Sequence, residues 1–151
     1  MQTGGREKVN AQILCIGGNA SRWERWGRTL QEDGYVVVHA RDEQEAFALL
    51  RACRVDVVCI DSELMAETGS SVIGAGLKEA HPHVPVVLVQ TGKDVPEHFE
   101  KQVDVVIDQS TFAAVGSWLI DELREVRLPV FVEWFEAWKE RSASNGGGSA
   151  C

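Results

Sequence analysis

The stretch VDVVCIDSELMAETG (55–69) ends an apolar run on a carboxylate, Asp61, and places a glycine eight residues later. A carboxylate in that position either takes part in chemistry or only ends a strand through local hydrogen bonds. Other candidates for chemistry are few. IGGNAS (16–21) is a glycine-rich turn between a strand and a helix, and its backbone N–H groups could cradle an anion. It lacks the GxGxxG and GxxxxGK[ST] spacings and reads as a plain turn. His81 and His83 in HPHVP have no cysteine or carboxylate beside them, which argues against a metal site. His39 ends a strand and reads as a packed polar end rather than a general base. There is no GxSxG or other nucleophile motif, so no enzymatic activity is expected. The four cysteines, Cys15, Cys53, Cys59 and Cys151, form no CxxC pair and no zinc spacing. Cys15 and Cys59 lie inside apolar runs and read as buried small hydrophobes.

Composition narrows the partners. A chain of 151 residues is long enough for one domain with a sizeable core. The net charge of -8 argues against nucleic-acid binding, which relies on Lys and Arg to neutralise phosphates. No apolar run approaches the roughly 20 residues that span a bilayer. The opening MQTGGREKVN lacks the apolar segment of a signal peptide. A cytoplasmic protein is the expectation.

The elements that must position Asp61 alternate along the chain. AQILCIG (11–17), YVVVHA (35–40), VDVVCID (55–61), VPVVLVQ (84–90) and VDVVID (103–108) are short, nearly continuous apolar runs, as expected of strands covered on both faces. Between and after them, 21–33, 42–53, 71–81 and 111–126 show helical periodicity, and 95–102 allows a short helix. Strand–helix alternation of this kind builds a doubly wound α/β sheet with parallel strands and helices on both faces. Such sheets carry their working site at the carboxyl ends of the strands. Asp61, Gly17, Gly18, Gln90 and Gln109 all fall at such ends. Beyond this unit, 128–141 is an extra amphipathic segment, expected to be helical from Leu128–Pro129. Its Phe131, Phe135 and Trp138 share one face, Trp134 lies among them, and Glu133, Glu136 and Glu140 point to solvent. Residues 1–10 and the Gly/Ser-rich 142–151 read as tails, the latter disordered.

The run LQEDGYVVVHARDEQEAFALLRACRVDVVCIDSELMAETG, together with HPHVPVVLVQTG, resembles a receiver domain of bacterial two-component response regulators, over roughly 11–127. The resemblance implies a CheY-like fold with a five-stranded sheet in the order 2-1-3-4-5. It also implies phosphoryl transfer from a kinase histidine to Asp61 as phosphoacceptor, with Gly69 closing the loop that follows. The remaining positions depart from the family. The acidic pair that holds Mg²⁺ falls on Gly17 and Gly18, the fourth-strand Ser/Thr on Gln90, and the lysine after the fifth strand on Gln109, or on Asp108 one residue earlier. Thr91 adjoins Gln90, but one step along a strand reverses the face.

Phosphoryl transfer is catalysed by positioning and cationic neutralisation, and a site without its lysine and most of its metal ligands is impaired for it. Asp61 is therefore expected to be exposed at the sheet edge with no cation in contact. No cofactor is expected; if weak Mg²⁺ binding occurs, Asp61 is the ligand. Gly18→Asp with Gln109→Lys is expected to restore part of the Mg²⁺ binding. Three readings follow. The first is a degenerate receiver serving as a protein-interaction module in phosphorelay signalling, with a histidine kinase or another signalling protein as partner. The second is a regulator phosphorylated on Asp61. The third is a flavodoxin-like domain that binds a small ligand or anion at the Gly17–Gly18 turn. The aromatic helix either packs on its own domain or serves as an interaction face, for a partner or for a second copy. No output domain is expected after the fifth helix.

Overall fold

The apolar runs become the strands of one sheet. The structure, a computed structural model, describes residues 11–64, 72–91, 102–125 and 133–141, with 72–75 described by backbone alone. In chain order the elements are β1 (Gln12–Ile16), α1 (Ala20–Glu32), β2 (Val36–Ala40), α2 (Glu43–Ala52), β3 (Val57–Asp61), α3 (Val72–Ala80), β4 (Val86–Gln90), β5 (Val105–Asp108), α4 (Gln109–Glu125) and α5 (133–141). The strands are all parallel and lie in the order β2-β1-β3-β4-β5. This is the order the resemblance implied. The expected short helix at 95–102, both tails, Gly69 and the start of the last helix at Leu128–Pro129 lie outside the described residues, Gln102 excepted.

Strict alternation along the strands gives the sheet two cores. Ile13, Cys15, Val57, Cys59, Val87, Val89, Val105 and Ile107 face one way, in a cluster with Trp23, Trp26 and Leu30 of α1, Phe112, Leu119, Ile120 and Leu123 of α4, and Phe135 of α5. Leu14, Ile16, Val58, Ile60, Val86 and Leu88 face the other way, with Ala46 and Leu50 of α2 and Leu77 of α3. Cys15 and Cys59 are fully buried, reduced, and opposite each other in adjacent strands. The Cys59 side chain, as a hydrogen-bond partner, and burial together push the Cys15 thiol well above its ordinary range, so both behave as small core hydrophobes.

Local chemistry fixes where the helices start and stop. Asn19 caps α1 by accepting from Arg22 N (2.9 Å), and Asp42 caps α2 by accepting from Glu45 N (2.9 Å). At the end of α1, Gly34 adopts a left-handed φ of 102°. Its N–H donates to Gln31 O (3.0 Å) while Tyr35 N donates to Leu30 O (3.1 Å). That paired closure needs a positive φ after the helix, which glycine supplies without a Cβ clash. It also turns the chain directly into β2. α4 follows β5 without a loop and kinks at Val115 (φ -129°, ψ 16°). No helix among the described residues is long and apolar enough to cross a membrane.

Candidate functional site

Parity along the strands decides which side chains meet at the carboxyl edge. Extending Ile13–Cys15, Val57–Cys59 and Val87–Val89 by one step of two brings Gly17, Asp61 and Thr91 to the same face, the face covered by α1. Asp61 is 1% exposed. Its Oδ1 accepts from Glu63 N (2.9 Å) and from Thr91 Oγ1 (3.1 Å), and its Oδ2 accepts from Arg22 Nη1 (2.6 Å). The same Arg22 Nη1 lies 3.1 Å from Glu63 Oε1, and Nη2 donates to Glu63 Oε2 (3.3 Å). Ser62 Oγ accepts from Thr91 N (3.1 Å) and lies 3.2 Å from Thr91 Oγ1, tying the ends of β3 and β4 together. The Glu63 hydrogen bond, with help from Asp61, raises the Arg22 guanidinium further above its already high range.

Two expectations are corrected here. Asp61 is buried rather than exposed, and a cation is in contact with it. The reason lies in α1. Trp23 and Trp26 turn into the core and pack edge to face at 4.9 Å, and this rotation carries Arg22 over the sheet edge, 5.8 Å above the Trp26 ring. Arg22 was not singled out from the sequence. Its signal was its place, three residues after the Asn19 cap, at the same edge as Asp61. The structure also brings Thr91, not Gln90, to Asp61. The face-reversal rule was sound, but the register pairs Asp61 with Val89, so it is Gln90 that points away.

Gly17 and Gly18 differ. A Cβ on Gly17 would lie 2.6 Å from Trp23 Nε1 and 2.8 Å from Asp61 Cβ, whereas one on Gly18 would meet nothing within 4 Å. Gly17 N donates to Ala40 O (2.9 Å) and Gly17 O contacts His39 Nε2 (2.7 Å), so the backbone of this glycine is engaged across β2. Its N–H is therefore not turned toward an anion. Gly18 opens instead into a shallow cleft of ≈ 420 Å³ with Asn19, Ala20, Ser21 and Glu63. Trp23 Nε1 is buried without a hydrogen-bond partner.

Gln109 is the first residue of α4 and is exposed. Asp108 caps that helix, accepting from Ser110 Oγ (2.7 Å), Thr111 N (2.7 Å) and Thr111 Oγ1 (3.0 Å). Burial alone would raise the Asp108 carboxyl, but these hydrogen bonds outweigh it and hold the group below its ordinary range. A groove of ≈ 460 Å³ runs beside it, lined by Gln90, Val106, Asp108, Phe135, Trp138 and Lys139, among others. Lys139 Nζ donates to Val106 O (3.2 Å). On α5, Phe135 is fully buried and stacks on half-buried Trp138 (5.5 Å). Trp134 is 42% exposed and lies 5.4 Å from Trp118, itself 38% exposed. Phe131 lies outside the described residues.

No protein-family model and no curated protein matches the chain. Solved structures do. A response regulator receiver domain from Clostridium thermocellum aligns at 19% identity and TM-score 0.64, over 76% of this chain and 94% of its own. A response regulator from Thermotoga maritima aligns at 17% identity and TM-score 0.66, over 78% of this chain and all of its own. The chemotaxis response regulator CheY4 of Vibrio cholerae aligns at 20% identity and TM-score 0.60, over 73% and 98% respectively. The chain therefore has the receiver-domain fold.

The Mg²⁺ implied by the family resemblance does not fit this cluster. Mg²⁺ requires near-octahedral oxygen ligation at close range. Here both Asp61 oxygens already accept from protein donors, a guanidinium lies on Oδ2, and position 17 has no room for a side-chain ligand. Among the described residues no group of three or more His, Cys, Asp or Glu could hold a metal ion.

Proposed function

We propose that this protein is a degenerate receiver acting as a protein-interaction module in phosphorelay signalling in the cytoplasm, with no enzymatic turnover of its own. Its partner would be a histidine kinase or another signalling protein. One observation carries the reading: the aspartate at the phosphoacceptor position is buried and already engaged by internal donors, with Arg22, Glu63 N and Thr91 on its two oxygens. To be phosphorylated, Asp61 would have to attack through an oxygen that is buried and already held by these donors, and giving up a buried hydrogen bond is costly. The fold, shared with receiver domains over most of the chain, supports the signalling context.

A second reading, a regulator phosphorylated on Asp61, is favoured by Thr91 and Arg22. A hydroxyl and a cation on the carboxylate could together offset part of the charge of about −2 on a phosphoryl group. Incubation with acetyl phosphate and Mg²⁺, followed by intact-mass measurement, separates the two. The interaction-module reading expects only a small fraction of the chain to gain a phosphoryl group. Stoichiometric labelling that Asp61→Ala abolishes would establish the second reading instead.

A further inference from the structure

We infer that Arg22 is the resident cation of this site, a tethered guanidinium that replaces a divalent metal ion and fixes the carboxyl edge of the sheet in one arrangement. Arg22 occupies the first turn of α1, three residues after the Asn19 cap, where the helix dipole disfavours positive charge. It is held there by two carboxylates that converge on one nitrogen, with Asp61 Oδ2 at 2.6 Å and Glu63 Oε1 at 3.1 Å from Nη1. Asp61 is buried, and a buried carboxylate is costly unless it is paired and hydrogen-bonded. Arg22 supplies that charge and is itself only 17% exposed. The planar fork reaches both carboxylates, a geometry that suits guanidinium better than ammonium.

The neighbouring backbone agrees with this assignment. Gly17 leaves no space for a side-chain ligand on the far side of Asp61, because Trp23 and Asp61 itself fill it. A free metal ion would therefore have to displace a cation bound through its own chain. Tethering gives Arg22 an effective concentration of at least millimolar order, the range in which free Mg²⁺ would have to compete. The consequence is a clamp: Arg22 ties the start of α1 to the end of β3, and Thr91 ties the end of β4 to the same carboxylate, with neither metal nor modification required.

This deepens the reading of Asp61 as a disabled acceptor and rests on it, but the two fail separately. Labelling by acetyl phosphate tests acceptor chemistry, and metal response tests the role of Arg22. The experiment compares wild type, Arg22→Lys and Arg22→Gln by thermal melting and tryptophan fluorescence. Each is measured in millimolar MgCl₂ or MnCl₂ against NaCl of equal ionic strength. Wild type should show no saturable response. Arg22→Gln, left with two facing carboxylates and no cation, should melt at least roughly 6 °C lower in NaCl and recover at least half of the loss in Mg²⁺ or Mn²⁺, as a ligand that binds only the folded state would produce. Arg22→Lys should fall between the two, and it keeps the series decisive if Arg22→Gln does not fold. A saturable Mg²⁺ response in wild type would overturn the assignment, as would folded Lys and Gln variants that are both as indifferent to metal as wild type.

Discussion

Asp61 shows how much a single residue depends on what surrounds it. At the end of a strand it could be a solvated terminus, a metal ligand or a nucleophile. Burial, Arg22 and Thr91 remove the first choice and disfavour the second. The two glycines beside it make the point testable. Gly17→Asp forces a side chain against Trp23 and Asp61 and should cost about 2 kcal/mol or more, as overpacking does. Gly18→Asp enters open space and should change stability by no more than about 0.5 kcal/mol; urea denaturation of the pair measures both. The structure also changes the expectation for Gly18→Asp with Gln109→Lys. With Arg22 in place the double variant should gain no Mg²⁺ binding by titration calorimetry, and it should gain it only when Arg22→Gln is added.

Asp108 supplies a pH dependence at the same scale. Its folded carboxyl titrates below the ordinary value because Ser110 and Thr111 donate to the charged form more strongly than burial opposes it. The cap therefore stabilises the fold above the unfolded value, near pH 4, and that contribution is lost as pH falls through the depressed folded value. Asp108 is exposed, so solvent screens much of the effect. Asp108→Ala should cost about 1 kcal/mol at neutral pH, as N-cap losses do. Denaturation at several pH values should show the gap between wild type and variant shrinking below about pH 4.

Among the elements, α5 has the least obvious allegiance. It follows the receiver-like unit, carries three aromatic residues in its described span, and could have been free to present them. Phe135 is instead fully buried in the core shared by α1 and α4, Trp138 packs against that core, and Glu133, Glu136 and Glu140 are exposed. Phe135→Ala should accordingly cost on the order of 3–5 kcal/mol, as a large core deletion. Trp134→Ala removes a ring that is 42% exposed and should cost under about 1 kcal/mol. A Phe135→Ala protein as stable as wild type in a chemical melt would show that α5 leaves the core in solution.

For the whole molecule, the placement of aromatic rings makes a direct test of cooperativity. Trp23, Trp26 and Trp138 all belong to the same side of the sheet, the side that holds Phe112 and Phe135. If α5 is part of one folding unit with α1 and α4, fluorescence and far-UV circular dichroism should follow a single transition in urea. A fluorescence step that precedes loss of helix and sheet would mark α5 as an appended element that detaches first.

At this scale the share of the sequence and of the tertiary structure can also be divided. Apolar runs of strand length and the helical periods between them determine the element order. Parallel strands with covered faces then follow, because hydrophobic period and turn chemistry are local properties of the chain. The helical period of 21–33, which becomes α1, was equally readable. What it did not determine is how that helix rotates over the sheet, and so that Arg22 lands on Asp61. Nor did local pattern assign Thr91 rather than Gln90 to the site, since a single residue of register reverses every side chain beyond it. The strand pairing of Asp61 with Val89 and the packing of Trp23 and Trp26 made both decisions. Contacts at a sheet edge are set by sub-residue offsets between elements distant in sequence, and only tertiary packing supplies those offsets.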